Sequence, residues 1–191
     1  MRFYITLLVI ALFFGCKKTT SDTYKLNQEQ IERQDSLFNN VDRKWIFETP
    51  TTPEIVQSKI RDWEDWHNLQ DEISSKPLST LSAFRQEAET LALLSERLSA
   101  TVPNEFNSAA IQSRIALLNT NIQNLDMYMQ LDQIPDKKIS DILTNINKSM
   151  QSIINQMEEI LIKKSIPREE GEENLFQHID TVRKATPKLL P

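Results

Sequence analysis

The chain has 191 residues, with 22 Lys and Arg against 27 Asp and Glu, a net charge of −5. This mildly acidic balance, with no basic block, excludes the clustered cations that neutralise nucleic-acid phosphates, so no nucleic-acid partner is expected. A single cysteine leaves no disulfide within the chain, and two glycines, Gly15 and Gly171, are too few for the tight turns of strand-rich folds. The composition reads as helical and held together by packing alone.

Residues 1–16 open with a positive end, Arg2 and the initiator amine, followed by an apolar run from Phe3 to Phe14. That run is too short to span a bilayer, which takes about twenty apolar residues, and its flanks match a secretory signal. It ends in Gly15-Cys16, and the lone thiol stands directly before Lys17 and Lys18. A small residue followed by cysteine at the end of an apolar core resembles the lipobox of bacterial lipoproteins. Phe13 and Phe14 stand where that family usually has Leu and then Ser or Ala. The resemblance covers these first residues alone. It implies that residues 1–15 are a signal peptide, cut before Cys16, and that Cys16 is acylated on its thiol and often on its new amino end. Two or three acyl chains hold a protein stably on a membrane, whereas one is marginal. Because Lys17 and not Asp follows the cysteine, the resemblance implies the outer membrane, on its periplasmic face, with the cell surface as the alternative. Removing residues 1–15 leaves 176 residues with 21 basic and 27 acidic side chains, a net charge of −6.

Residues 16–26 contain the lipidated cysteine and "KKTTSDTYKL", which has no hydrophobic period and reads as a flexible tether reaching at most ~35 Å. From Asn27 an amphipathic pattern places Ile31, Phe38, Val41 and Trp45 on one helix face. "TPTTP" at 49–53 breaks it and starts the next run, with Thr52 to cap, Pro53 at the first helical position and Glu54 toward the dipole. That run carries Val56, Ile60, Trp63, Trp66 or His67, Gln70 and Ile73 at spacings of three and four. After "SSKPLS" come Leu81, Phe84, Ala88, Leu91, Ser95, Leu98 and Val102, stopped at "VPN". Ile111, Ile115, Leu118, Ile122, Leu125 and Met129 repeat the pattern up to "QIPD". Ile139, Ile142, Ile146, Met150, Ile153, Met157 and Ile160 form the last long run, closed by Pro167. Each set is one stripe of a helix, and short connections make neighbouring helices antiparallel. The expectation is an all-α fold. It is an antiparallel up-down bundle of four long helices within a domain at 27–166, with the N-terminal helix packed across it or along one end. Residues 167–191 read as an acidic hinge, a short helix through Leu175, Phe176, Ile179 and Val182, and a tail.

Three constellations carry candidate chemistry. Glu64 and His67 form a Glu-x-x-His, half of the metal motif of ferritin-like carboxylate bundles, since residues three apart on a helix can aim at one ion. A complete site needs a second copy and two further Glu, but the other histidine, His178, has Leu175 three places before it. An exposed or capped histidine is the plainer account, and no cofactor is expected. Trp66 beside Trp63 serves either the core or, if exposed, a ligand or partner helix. Met127, Met129, Met150 and Met157 sit at helical spacing and read as core filling.

The third is a regional contrast. Segment 53–99 holds fourteen charged residues in 47, while 104–157 holds nine in 54 and uses Asn and Gln instead. Charge depletion marks interface cores, which makes Asn121, Asn124 and Asn147, with Trp66, a candidate interaction face. There is no free cysteine, no Gly-x-Ser-x-Gly elbow and no glycine loop for phosphate, so an enzyme is not expected. The function expected is a lipid-anchored, non-catalytic module that binds or scaffolds another envelope protein. A small-ligand or cofactor-binding bundle is the alternative. A polar convergent cavity inside the bundle would favour the alternative; a dry apolar core would favour the module.

Overall fold

The computed structural model describes residues 20–78 and 80–167. All regular structure among them is helical: α1 Thr20–Lys44, α2 Glu54–Ile60, α3 Glu64–Ser74, α4 Leu81–Thr101, α5 Ala109–Met129 and α6 Asp136–Ser165. The signal segment, Cys16 and the expected short helix after Pro167 lie outside the described residues.

The long helices start where the sequence places caps. The Thr80 hydroxyl accepts from the Ala83 amide at 3.1 Å and that of Ser108 from the Ile111 amide at 3.4 Å, satisfying backbone donors that the first turn leaves free. Pro53 and Pro135 precede α2 and α6, where a missing N–H costs nothing. Helices α4, α5 and α6 run up, down and up, with α5 packed between the other two. Helix α3 lies antiparallel to α4, pinned near one end by the Trp63 indole donating to Thr101 Oγ1 at 3.1 Å.

Expected as one helix, the second run is two. Trp63 leaves the helical region at ψ 79°, after a turn at Arg61 and Asp62. The break lets α2 pack on α6 while α3 packs on α4, so both sides of the bundle are closed by one short stretch of chain. Val56, Ile60, Trp63, Trp66, Leu69 and Ile73 are all buried, which is why the apolar period runs unbroken through the turn.

Helix α1 also departs from expectation. It begins at Thr20, so the residues from 20 to 26 that read as tether are helical. Ile31 is 60% exposed, whereas Leu37 and Phe38 pack against the core. Phe38 packs on Phe84 with ring centroids 5.9 Å apart, and Trp45 lies edge-on to the same ring at 5.0 Å. Asp42 pairs with Lys76 at 2.8 Å.

The core is apolar. Leu91, Leu98, Ile115, Leu118, Ile122, Ile146, Met150, Ile153 and Met157 are fully or almost fully buried, each worth ~1.5–3 kcal/mol of burial. Among the described residues Ser95 and Ser149 are buried with them and are satisfied, whereas the buried indole N–H groups of Trp45 and Trp66 find no acceptor. Ser95 donates toward Ala92 O and Asn119 Oδ1 at 2.9 and 3.2 Å, and Ser149 donates to Asn145 O at 2.8 Å.

Candidate interaction surface

The residues singled out from sequence do not come together. Glu64 sits exposed in the first turn of α3. His67, half-buried, places Nε2 2.9 Å from the Ile60 carbonyl, which also accepts from the Trp63 amide at 2.9 Å, so its ring helps tie the two halves of the broken run. That nitrogen is committed to the backbone. No three His, Cys, Asp or Glu side chains converge as a metal site among the described residues.

Trp66 is completely buried, stacked on Trp63 at 5.3 Å and 20°, so it belongs to the core and cannot be part of an interaction face. Asn121 is half-buried and donates through Nδ2 to Ser149 Oγ at 3.0 Å, joining α5 to α6. Asn147 is also half-buried. Its Oδ1 accepts from the Glu48 amide at 3.1 Å and its Nδ2 donates to the Ile46 carbonyl at 3.3 Å, strapping the non-helical segment 45–53 onto α6. Two of the three asparagines are therefore spent on holding the fold together.

The charge-poor surface lies elsewhere, on the outer side of α5. Its exposed residues are Ala109, Ala110, Ser113, Ala116, Leu117, Thr120 and Met127, and none of them is charged. The neighbouring helices differ: α4 exposes Glu89, Glu96 and Arg97, and α6 exposes Lys137, Lys138, Asp141, Lys148 and Glu159 among others. At 1.5 Å per residue the stripe runs ~27 Å along the helix. Leu117 and Met127 are 55% and 52% exposed. The two hydroxyls are turned inward, Ser113 Oγ donating to Ala109 O and Thr120 Oγ1 to Ala116 O, each at 2.8 Å. Their donors are thus satisfied within the helix. Covering the stripe removes apolar surface from water and strands little polar capacity, which makes its desolvation cheap. Half-buried Asn124 falls on the same stripe by spacing, four residues after Thr120 and three before Met127.

Met127 had read as core filling and is instead at the surface. The signal for the stripe was present in the sequence: positions 113, 117, 120, 124 and 127 repeat at threes and fours on the side opposite the core set. Leu117 falls outside the core set of its helix, and Met127 shares the helical spacing of the buried methionines only in part.

One electrostatic feature stands apart from this surface. Glu87 on α4 faces Glu72 on α3, and its pKa is raised from 4.5 to about 7 by burial, by the Glu72 charge and by a hydrogen bond to that carboxyl. Glu87 Oε1 is buried and finds no donor when both groups are ionised, since carboxylates only accept. A proton shared between the two resolves the conflict.

No protein family, curated protein or solved structure matches the chain.

Proposed function

We propose that the protein is a lipid-anchored, non-catalytic helical module of the bacterial cell envelope that docks another envelope protein along the outer face of α5. The observation that carries this reading is the charge-free stripe of Ser113, Leu117, Thr120 and Met127, flanked by charged helices. An apolar centre with a charged rim is the usual anatomy of a protein–protein contact, and small residues let a partner backbone approach closely. The lipid on Cys16 and the place at the outer membrane, facing the periplasm, belong to the same proposal; they rest on the resemblance of Gly15-Cys16, at the end of the apolar run, to a lipobox and on Lys17 directly after it.

The alternative, a small-ligand or cofactor-binding bundle, lacks comparable support among the described residues. The interior is filled by Leu, Ile and Met side chains. The apolar notch beside Leu37, Val41, Ile134 and Ile139 has a volume of about 10 Å³, at the limit for one water, and the larger spaces of about 390–440 Å³ are open clefts at the surface.

The test separates docking from folding. Leu117→Glu and Met127→Lys change exposed positions, so thermal melts should move by less than ~0.5 kcal/mol in stability. A charge buried in an interface costs several kcal/mol, so recovery of the partner from detergent-solubilised membranes should fall at least tenfold. Undiminished recovery with both variants would refute docking on α5.

A further inference from the structure

Lys25 and every residue from Gln28 to Ser36 are exposed, and Gln30, Arg33, Gln34 and Asp35 border open clefts against Leu81, Arg85 and Asp132 at the end of the bundle. Over these positions the helix is polar on all sides, Ile31 excepted. Such a helix either bridges solvent or fails to form. Here it has a nucleus, because Leu37, Phe38, Val41 and Trp45 dock the last turns of the same helix on the bundle and remove the nucleation cost of the rest. Gln, Glu and Arg are good helix formers, and Glu29 stands four residues before Arg33, the favourable order for a supporting pair. Between Gln28 and Ser36 Ile31 is the one apolar residue, and the positions three and four after it are Gln34 and Asp35, so this stretch lacks the paired a and d positions of a coiled coil.

Its place in the fold gives it direction. Helix α1 joins the bundle at the end where α3 stops and α4 and α6 begin, marked by the Phe38–Phe84 contact, the Asp42–Lys76 pair and the notch against Ile134 and Ile139. From that end α6 runs 30 residues, ~45 Å, to the far end. There Glu105 is held between Lys59 at 3.3 Å and Lys164 at 3.4 Å. On the chain, α1 is the element that follows the lipid-bearing segment.

We infer that the first half of α1 is a helical stalk. It stands the bundle off the membrane with the α4 N-terminus toward the lipid and the Glu105 end away from it. This rests on the lipid-anchor reading of Cys16. Residues 20–36 as helix span ~25 Å, a rigid rise where a flexible tether would allow any orientation.

The experiment uses the full chain, lipidated in a bacterial host and reconstituted in phospholipid vesicles carrying a headgroup acceptor dye. Donor dye is attached through Ser82→Cys at the near end or Asn104→Cys at the far end, both exposed positions. Energy transfer should be strong at 82 and weak at 104. Replacing residues 28–36 with Gly-Ser of equal length should lower helix content by far-UV circular dichroism and abolish the difference between the two sites. Protein that fails to join the vesicles overturns the anchor reading and the stalk with it. Protein that joins but gives equal transfer at both sites, or keeps the difference after the Gly-Ser replacement, overturns the stalk alone.

Discussion

Glu87 and Glu72 meet across α3 and α4, where partial burial and the second carboxylate both oppose ionisation and Glu87 Oε1 is shut off from water. The folded state therefore keeps a proton on Glu87 up to about pH 7, whereas the unfolded chain releases it near 4.5. Between those values folding binds a proton, so stability is full below the lower one and falls as pH rises through the upper one. Urea unfolding at pH 5 and pH 8 should show the protein more stable at the lower pH. Glu87→Gln should flatten that dependence, because an amide donates to Glu72 at every pH. An unchanged slope in the variant would remove Glu87 as its source. Nothing in the sequence marks this pair. Residues 72 and 87 lie on different helices, and only the packing of α3 on α4 makes them neighbours.

At the level of elements, Asn147 and the segment it straps make the sharpest contrast with the α5 stripe. One side chain satisfies both Glu48 N–H and Ile46 C=O, and so fixes a non-helical segment that would otherwise face only water. Asn147→Ala removes both bonds and should cost about 1 kcal/mol, read as a lower midpoint in urea with an unchanged slope. Leu117→Glu should leave the midpoint in place. The partners of Asn147 are about a hundred residues away along the chain, so no local pattern could separate it from an exposed docking asparagine. The five long stripes were legible because each buried set keeps helical spacing. The break at Arg61–Trp63 was not, since the buried positions Ile60, Trp63 and Trp66 keep that spacing through the turn, with neither glycine nor proline to mark it. The cue that was available is the pair Glu64-Asp65, two acids suited to a new helix N-terminus.

For the whole molecule, the account joins a lipid on Cys16, a helical rise and a bundle with one uncharged face. No described helix is long and apolar enough to cross a membrane. Cys16→Ser should release the protein from the membrane fraction or leave an uncleaved precursor, and a fatty-acid analogue should label the wild type alone. Label on the variant, or none on the wild type, would end the lipoprotein reading. The same variant should lose its partner in cells without any change in melting temperature, because the anchor contributes location and not fold.

The docking claim is tested most directly by site-specific photo-crosslinking in intact cells. A photoreactive phenylalanine analogue is placed at position 117 on the α5 stripe or at position 68, which is also exposed, on α3. Irradiation should yield one discrete adduct from position 117, none from position 68, and no adduct from position 117 when Cys16 is also replaced by Ser. No adduct at 117, or the same adducts at both positions, would contradict the account.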